Sequence, residues 1–228
     1  MGQRTDGPGG LHHDLCMDCA ISEPQAAAVA PIPLRCGTAI DLLRARTREQ
    51  HRAIEMLMRM DADFSLAHYS SALQAFESFL AQWEPLVTNA LPSCLQSWAR
   101  SLHRLGLARR DMAALSIPPL PHACIDLDLT DKAAALGSMY VLEGSTLGGL
   151  VIAQRLASRH GIDAHNGGAY FSGWGTDTPM MWRSFRQRLE SEIGSAEEAR
   201  MRAATAAAAT FEALSMTLRR SFDARDRS

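Results

Sequence analysis

Lysine is almost missing. Lys132 is the only one among 23 basic residues, and 25 acidic residues bring the formal net charge to −2. Without a basic excess there is no electrostatic footprint for nucleic acid, and without an acidic excess there is no sign of an acidic tail. Arginine carries the positive charge instead, and its planar fork suits carboxylates better than an ammonium does. Cysteine is sparse as well. Cys16, Cys19, Cys36, Cys94 and Cys124 are odd in number and form no dense framework, which suits a reducing compartment. No apolar run approaches the roughly 20 residues needed to cross a bilayer. The N-terminus lacks the basic and then apolar pattern of a secretion signal. Strand-like alternation is absent too. These absences predict a cytoplasmic helical protein with no nucleic-acid or membrane partner.

With 46% hydrophobic residues in 228, there is enough apolar material for one substantial core. The expected class is all-α, a single domain of six or seven helices. Residues 1–37 read as a disordered tail, 38–222 as the folded domain and 223–228 as a disordered end. Within the tail, 12-HHDLCMDC-19 holds one CxxC with two nearby histidines. No second ligand pair accompanies it, so a floppy segment with incidental Cys and His is the simpler reading than a metal site. Thr38 is a plausible N-cap for a helix over 39–60. A second helix is expected from 66 to 83, ended or re-aimed by Pro85, and a third from 86 to 105, ended by Gly106. A proline-rich loop follows at 116–124. Thr130 would cap a long helix over 131–160 that Gly161 ends. A loop rich in glycine and aromatics spans 161–179, and two helices follow at 180–193 and 196–221.

Two features of this pattern bear on chemistry. The first is His51. Leu43, Thr47, His51, Ile54 and Met58 recur in steps of three and four, so His51 falls on the inward stripe of its helix. Glu55 is one turn on, within side-chain reach. A carboxylate there can hold Nδ1 and leave Nε2 as a metal ligand. A hydrogen-bonded core pair with no ligand fits the same spacing. A lone histidine cannot hold a bare metal ion, but it can hold heme iron, because the porphyrin supplies four further ligands. The second feature is 140-YVLEGSTLGGL-150. Gly144, Gly148 and Gly149 together disfavour this helix by roughly 3 kcal/mol relative to alanine. Gly144 and Gly148 share a face. They suit either the close approach of a flat ligand or the tight crossing of two helices. A phosphate loop is excluded, since GK[ST] is missing and the glycines lie inside the helix.

Three stretches together resemble the heme oxygenases, in particular the bacterial branch associated with bacteriophytochromes. 44-RARTREQHRAIE-55 resembles the proximal helix, 139-MYVLEGSTLGGLVIAQRL-156 the kinked distal helix, and 169-AYFSGWGTDTPMMWRSFRQRLE-190 the segment after it. The resemblance covers residues 38–222. It implies an all-α bundle with heme b, both substrate and cofactor, held between the proximal and distal helices. It implies conversion of heme to biliverdin, carbon monoxide and ferrous iron, with O2 and electrons from a ferredoxin or a reductase. The biliverdin would go to a bacteriophytochrome. His51 becomes the axial ligand and Glu55 its partner, Gly144, Ser145 and Gly148 the catalytic distal segment, and Gly149 an extension of it. Arg44 and Arg186 match positions that face heme propionates, and Phe211 would pack near the heme. One departure stands out. Many members carry Asp directly after the first distal glycine, and this chain has Ser145, which can hydrogen-bond water but carries no charge. A non-catalytic heme carrier or sensor on the same scaffold is the alternative. An interaction protein without heme is a third reading. Thiamin-degrading enzymes share the scaffold but need a cysteine nucleophile with a base, which Cys94 and Cys124 lack.

Overall fold

The computed structural model describes residues 37–58 and 65–226. The CxxC stretch lies outside them. Nine α-helices and one 3-10 turn are present among the described residues, and no strand. In chain order they are α1 (Ala39–Arg46), α2 (Arg48–Leu57), α3 (Leu66–Ala90), α4 (Ser93–Ser101), α5 (Leu105–Ala114), α6 (Lys132–His160), α7 (Ala169–Ser172), the turn Gly175–Asp177, α8 (Thr178–Ile193) and α9 (Glu197–Arg225).

Thr38 caps α1 as its sequence suggests, in a full capping box with Asp41. Glu190 of α8 adds a second anion there and accepts from the backbone N–H groups of Ala39 and Ile40 at 3.0 and 2.8 Å. The helix expected over 39–60 is broken at Thr47. That buried hydroxyl donates back to Leu43 O at 2.8 Å, and the backbone leaves helical geometry there. Such i−4 back-bonding bends helices, so α1 and α2 meet at a kink.

Pro85 does not end α3, which runs through it to Ala90. The proline is exposed, whereas Trp83, Glu84, Val87 and Thr88 on the flanking turns are buried. Packing on both sides outweighs the roughly 3 kcal/mol that an interior proline costs. The expected helix over 86–105 is likewise divided, among the end of α3, α4 and the first residue of α5. Buried Glu84 Oε1 accepts from the N–H groups of Arg104 and Leu105 at 2.7 and 2.9 Å. It thereby satisfies the first turn of α5, and Gly106 opens that helix rather than ending one. Asp131, not Thr130, caps α6 through Ala134 N–H, and Gly161 closes it in the left-handed region at φ 65. α9 continues to Arg225, past the expected end at 221.

α6 and α9 form the axis of the bundle. They run parallel: Arg202 pairs with Asp131 at one end, and Ser138 meets Thr210 at 2.7 Å further on. α3 packs on α9 and α6, α5 on α3, α8 on α6, and α1 and α2 lie against α9. By length and composition alone α6 could cross a membrane, but most of its surface is buried against protein. The tightest point is Gly137, where an added Cβ would fall on the carbonyl of Ala203. Overpacking of this kind costs about 1–3 kcal/mol. Gly137→Ala should therefore lower the thermal midpoint by roughly 2–12 °C at this chain length. Gly106→Ala, where a Cβ meets nothing within 4 Å, should leave the midpoint unchanged or raise it. A Gly137→Ala midpoint equal to that of the parent would show that the α6–α9 contact yields without cost.

Candidate functional site

Beyond Ser138 and Thr210 the axis opens. Val141 and Gly144 of α6 and Phe211 of α9 line a cavity with two lobes, which share these residues with His51 and Glu55 of α2. The first lobe has a volume of about 310 Å³ and is mostly apolar. Its walls include the whole run Gly144–Gly149, with Met58, Phe76, Phe171 and Leu214. The second, about 360 Å³, is polar at its rim, where Arg44, Arg48 and Arg52 stand with Thr47, Tyr140 and Trp182. Together the lobes fall in the usual range for small-molecule sites, about 300–1,000 Å³. They suit a ligand with an apolar body and an anionic edge.

The stripe read from the sequence is present. Leu43, Thr47 and Met58 are buried along it and Ile54 is half-buried. His51 lies on the same line, yet its side chain is 53% exposed, because the stripe here faces a cavity and not packed side chains. Its Nδ1 is 3.5 Å from Glu55 Oε1, close enough to orient the ring but longer than a formed hydrogen bond. Its ring stands edge-on to Phe211, with centroids 6.0 Å apart. Among the described residues no hydrogen bond occupies Nε2, and no cluster of three or more His, Cys, Asp or Glu could hold a bare metal ion. A lone histidine on an apolar cavity fits a metal that arrives with most of its ligands.

The glycines separate by role. A Cβ at Gly149 would stand 3.0 Å from the carbonyl of Phe171, so this glycine makes room for the α7 backbone. A Cβ at Gly144 would meet only the Trp182 ring, at 3.5 Å, an ordinary contact. Packing does not require glycine there. Gly148 and Ser145 line the apolar lobe beside it. Two hydroxyls on this turn bond back onto their own helix: Ser145 to Leu142 O at 2.7 Å and Thr146 to Glu143 O at 2.6 Å. Such bonds loosen the local helical ladder.

Arg44 reaches the second lobe as expected. Arg186 does not reach either lobe. It lies over the Trp182 ring, 5.5 Å from its centroid, and lines a separate groove with Arg44 and Arg183. Trp182 fills the space between Arg186 and the cavity.

Several lining residues were not foreseen. Tyr140 precedes Gly144 by one turn on the same face, so the spacing could have pointed to it. Burial raises its phenol pKa, while Arg44 and Thr47 hydrogen bonds work the other way. Arg104 and Tyr170 carried no comparable signal. Arg104 is buried; its Nη2 donates to Leu142 O at 2.7 Å and lies 3.4 Å from Glu143 Oε1. Burial pushes the carboxyl of Glu143 up, against the pull of Arg104. Buried Asp111 accepts from Tyr170 N–H at 2.6 Å and so places α7 against the cavity. Burial raises its pKa too, opposed by the backbone N–H groups of Tyr170 and Ala169.

Comparison with known proteins bears on the family and the fold. The sequence model of the heme oxygenase family matches residues 38–220. A heme oxygenase from Xanthomonas campestris pv. campestris (strain 8004) is 32% identical over 128 residues, covering 56% of this chain and 75% of the relative. The solved structure of the NO- and CO-bound heme oxygenase from Neisseria meningitidis has the same fold, with a TM-score of 0.67 over 82% of this chain and 92% of that one, at 20% identity.

Burial also has a consequence at high pH. It raises Tyr69, Tyr140 and Tyr170 above the ordinary value of 10.0. The folded chain keeps phenol protons that the unfolded chain releases, so this contribution to stability is complete below pH 10 and is lost as pH rises further. The thermal midpoint should fall progressively above about pH 10, and less steeply in Tyr170→Phe. Parallel curves for parent and variant would remove Tyr170 from the effect.

Proposed function

The chain belongs to the heme oxygenase family, and from that premise we propose that it takes heme b into the two-lobed cavity and opens it to biliverdin, carbon monoxide and ferrous iron. One observation carries the reading: His51 and the glycine run Gly144–Gly149, far apart in sequence, line the same cavity. When bound, heme supplies the iron at which O2 is activated, and electrons come from a separate ferredoxin or reductase.

The protein's own part is positional. His51 offers Nε2 to the iron, and Glu55 steadies the ring from the Nδ1 side. Gly144, Ser145 and Gly148, which line the lobe together with His51, would let the α6 backbone lie close to heme held there. Gly149 fixes that backbone against Phe171. Phe211 packs beside His51. Arg44, with Arg48 and Arg52, meets the propionates at the rim of the second lobe. Arg186 acts from outside, through Trp182. The mostly apolar first lobe would receive the apolar body of the heme, and the polar rim of the second would face its anionic edge. The resemblance to the bacteriophytochrome-associated branch makes a phytochrome the acceptor of the bilin.

A non-catalytic heme carrier is the second reading. It draws on Ser145, whose hydroxyl is turned onto Leu142 O and which brings no charge to the cavity.

One equivalent of hemin should give a Soret band, and a reductant in air should replace that band with the broad red absorption of biliverdin. A Soret band that survives reductant would favour the carrier, and no band at all would remove heme from the site. His51→Ala should fold normally, since the side chain is half exposed, yet lose the band shift and at least tenfold in turnover. Gly144→Leu should keep the thermal midpoint within about 4 °C, roughly 1 kcal/mol at this size, while turnover falls at least tenfold. Parent-like turnover in Gly144→Leu would contradict the close approach of α6.

A further inference from the structure

Ser145 lines the cavity but does not donate into it. Its single hydroxyl proton is directed at Leu142 O, and that of Thr146 at Glu143 O. Toward a ligand in the apolar lobe these two side chains offer only lone pairs. A donor must come from another element, and two other side chains with polar hydrogens line the same lobe apart from the half-exposed histidine: Arg104 and Tyr170.

One nitrogen of the Arg104 guanidinium, Nη2, is in use within the fold: it serves Leu142 O and the Glu143 carboxylate. The Arg104 backbone N–H is held by Glu84. The guanidinium also lies over the Tyr170 ring, 5.7 Å from the centroid. Tyr170 is fixed from three sides. Asp111 holds its N–H, Phe76 stands against the ring at 5.1 Å and Phe171 at 5.0 Å. Its ring is buried, so the hydroxyl cannot swing out to water. Burial keeps the phenol protonated throughout the ordinary pH range, the Arg104 charge strengthens it as a donor, and Glu84 and Glu143 oppose its ionisation.

We propose that Tyr170 is the hydrogen-bond donor this cavity presents to a small ligand on the heme iron, and that the Arg104–Glu143 pair positions it. The ligand class is a diatomic or small anion whose outer atom accepts a hydrogen bond. The proposal rests on the heme reading above. It also accounts for the uncharged residue at Ser145: the fixed donor sits on the α7 side of the lobe, and α6 has only to come close.

The test uses the full chain loaded with one equivalent of hemin, reduced under carbon monoxide, and reads the C–O stretch by infrared spectroscopy. A donor to the outer oxygen lowers that stretch, so Tyr170→Phe should move it to higher wavenumber. Glu143→Gln, which releases Arg104 from its carboxylate, should move it the same way by less. Ser145→Ala should leave it within the linewidth. A normal Soret band with an unmoved stretch in Tyr170→Phe overturns the proposal alone. So does a stretch that ignores Tyr170→Phe and moves in Ser145→Ala or Arg104→Lys. No Soret band in the parent protein overturns the heme reading, and this proposal with it.

Discussion

The close approach of α6 to α9 at Gly137 governs the rest of the molecule. Backbone touches backbone there, and one residue on Ser138 is tied to Thr210, which also donates back to Ala206 O. Trp83 Nε1 donates to the same Ser138 hydroxyl at 2.8 Å, so α3 is pinned at this point too. Gly144 is seven residues beyond Gly137, about 10 Å along the helix, and there the two helices are separated by the cavity. The pair acts as a wedge: fused at one end, parted at the other. The closest approach of the two helices therefore lies about two turns from the point where Gly144 and Phe211 line the cavity.

Buried charge holds the wedge open in one shape. Arg104, Glu84, Glu143 and Asp111 are all at least nine-tenths buried. Isolated, each would be very costly. Here each is used as a joint between elements. Glu84 of α3 caps α5, Arg104 at the head of α5 holds the Leu142 carbonyl of α6, and Asp111 at the end of α5 holds the start of α7. α5 is thus a short strut whose two ends fix the two polypeptide segments facing the apolar lobe. Such pairs add little net stability over apolar packing, yet lose several kcal/mol when one partner is removed. What they supply is a defined geometry around a cavity that could not otherwise keep its walls apart.

This division explains which parts were legible in the sequence. The inward stripe of His51, the capping box at Thr38 and Asp41, and the glycine run are local patterns, and local physics decides them. Some failures are local, such as the break at Thr47 and the cap of α6 on Asp131 rather than Thr130, where neighbouring residues offer competing hydrogen bonds; in others a packed side chain or a distant group intervened. Pro85 does not stop α3 because the turns on either side are packed. Gly106 does not end a helix because Glu84, twenty-odd residues earlier, caps the next one. Arg186 is kept from the cavity by Trp182, four residues before it on the same helix, and residue spacing carries no sign of which of the two lies inside. Arg104 and Tyr170 reach the lobe only through tertiary contacts; Tyr170 lies in the stretch 169–190, but nothing in that pattern set it apart from its neighbours.

The glycines show how far structure takes the argument toward function. An interior glycine costs a helix about 1 kcal/mol, and each one needs a reason. At Gly137 the reason is Ala203, and at Gly149 it is the carbonyl of Phe171; both lie inside the polypeptide. At Gly144 there is none. A methyl group would rest on the Trp182 ring at an ordinary distance, and alanine would serve the fold better. The side chain is missing on the wall of a cavity that faces a half-exposed histidine with a free ring nitrogen. Packing among the described residues therefore gives no reason for a glycine at Gly144, and the heme proposed above, held from the His51 side, would use the space that the missing side chain leaves.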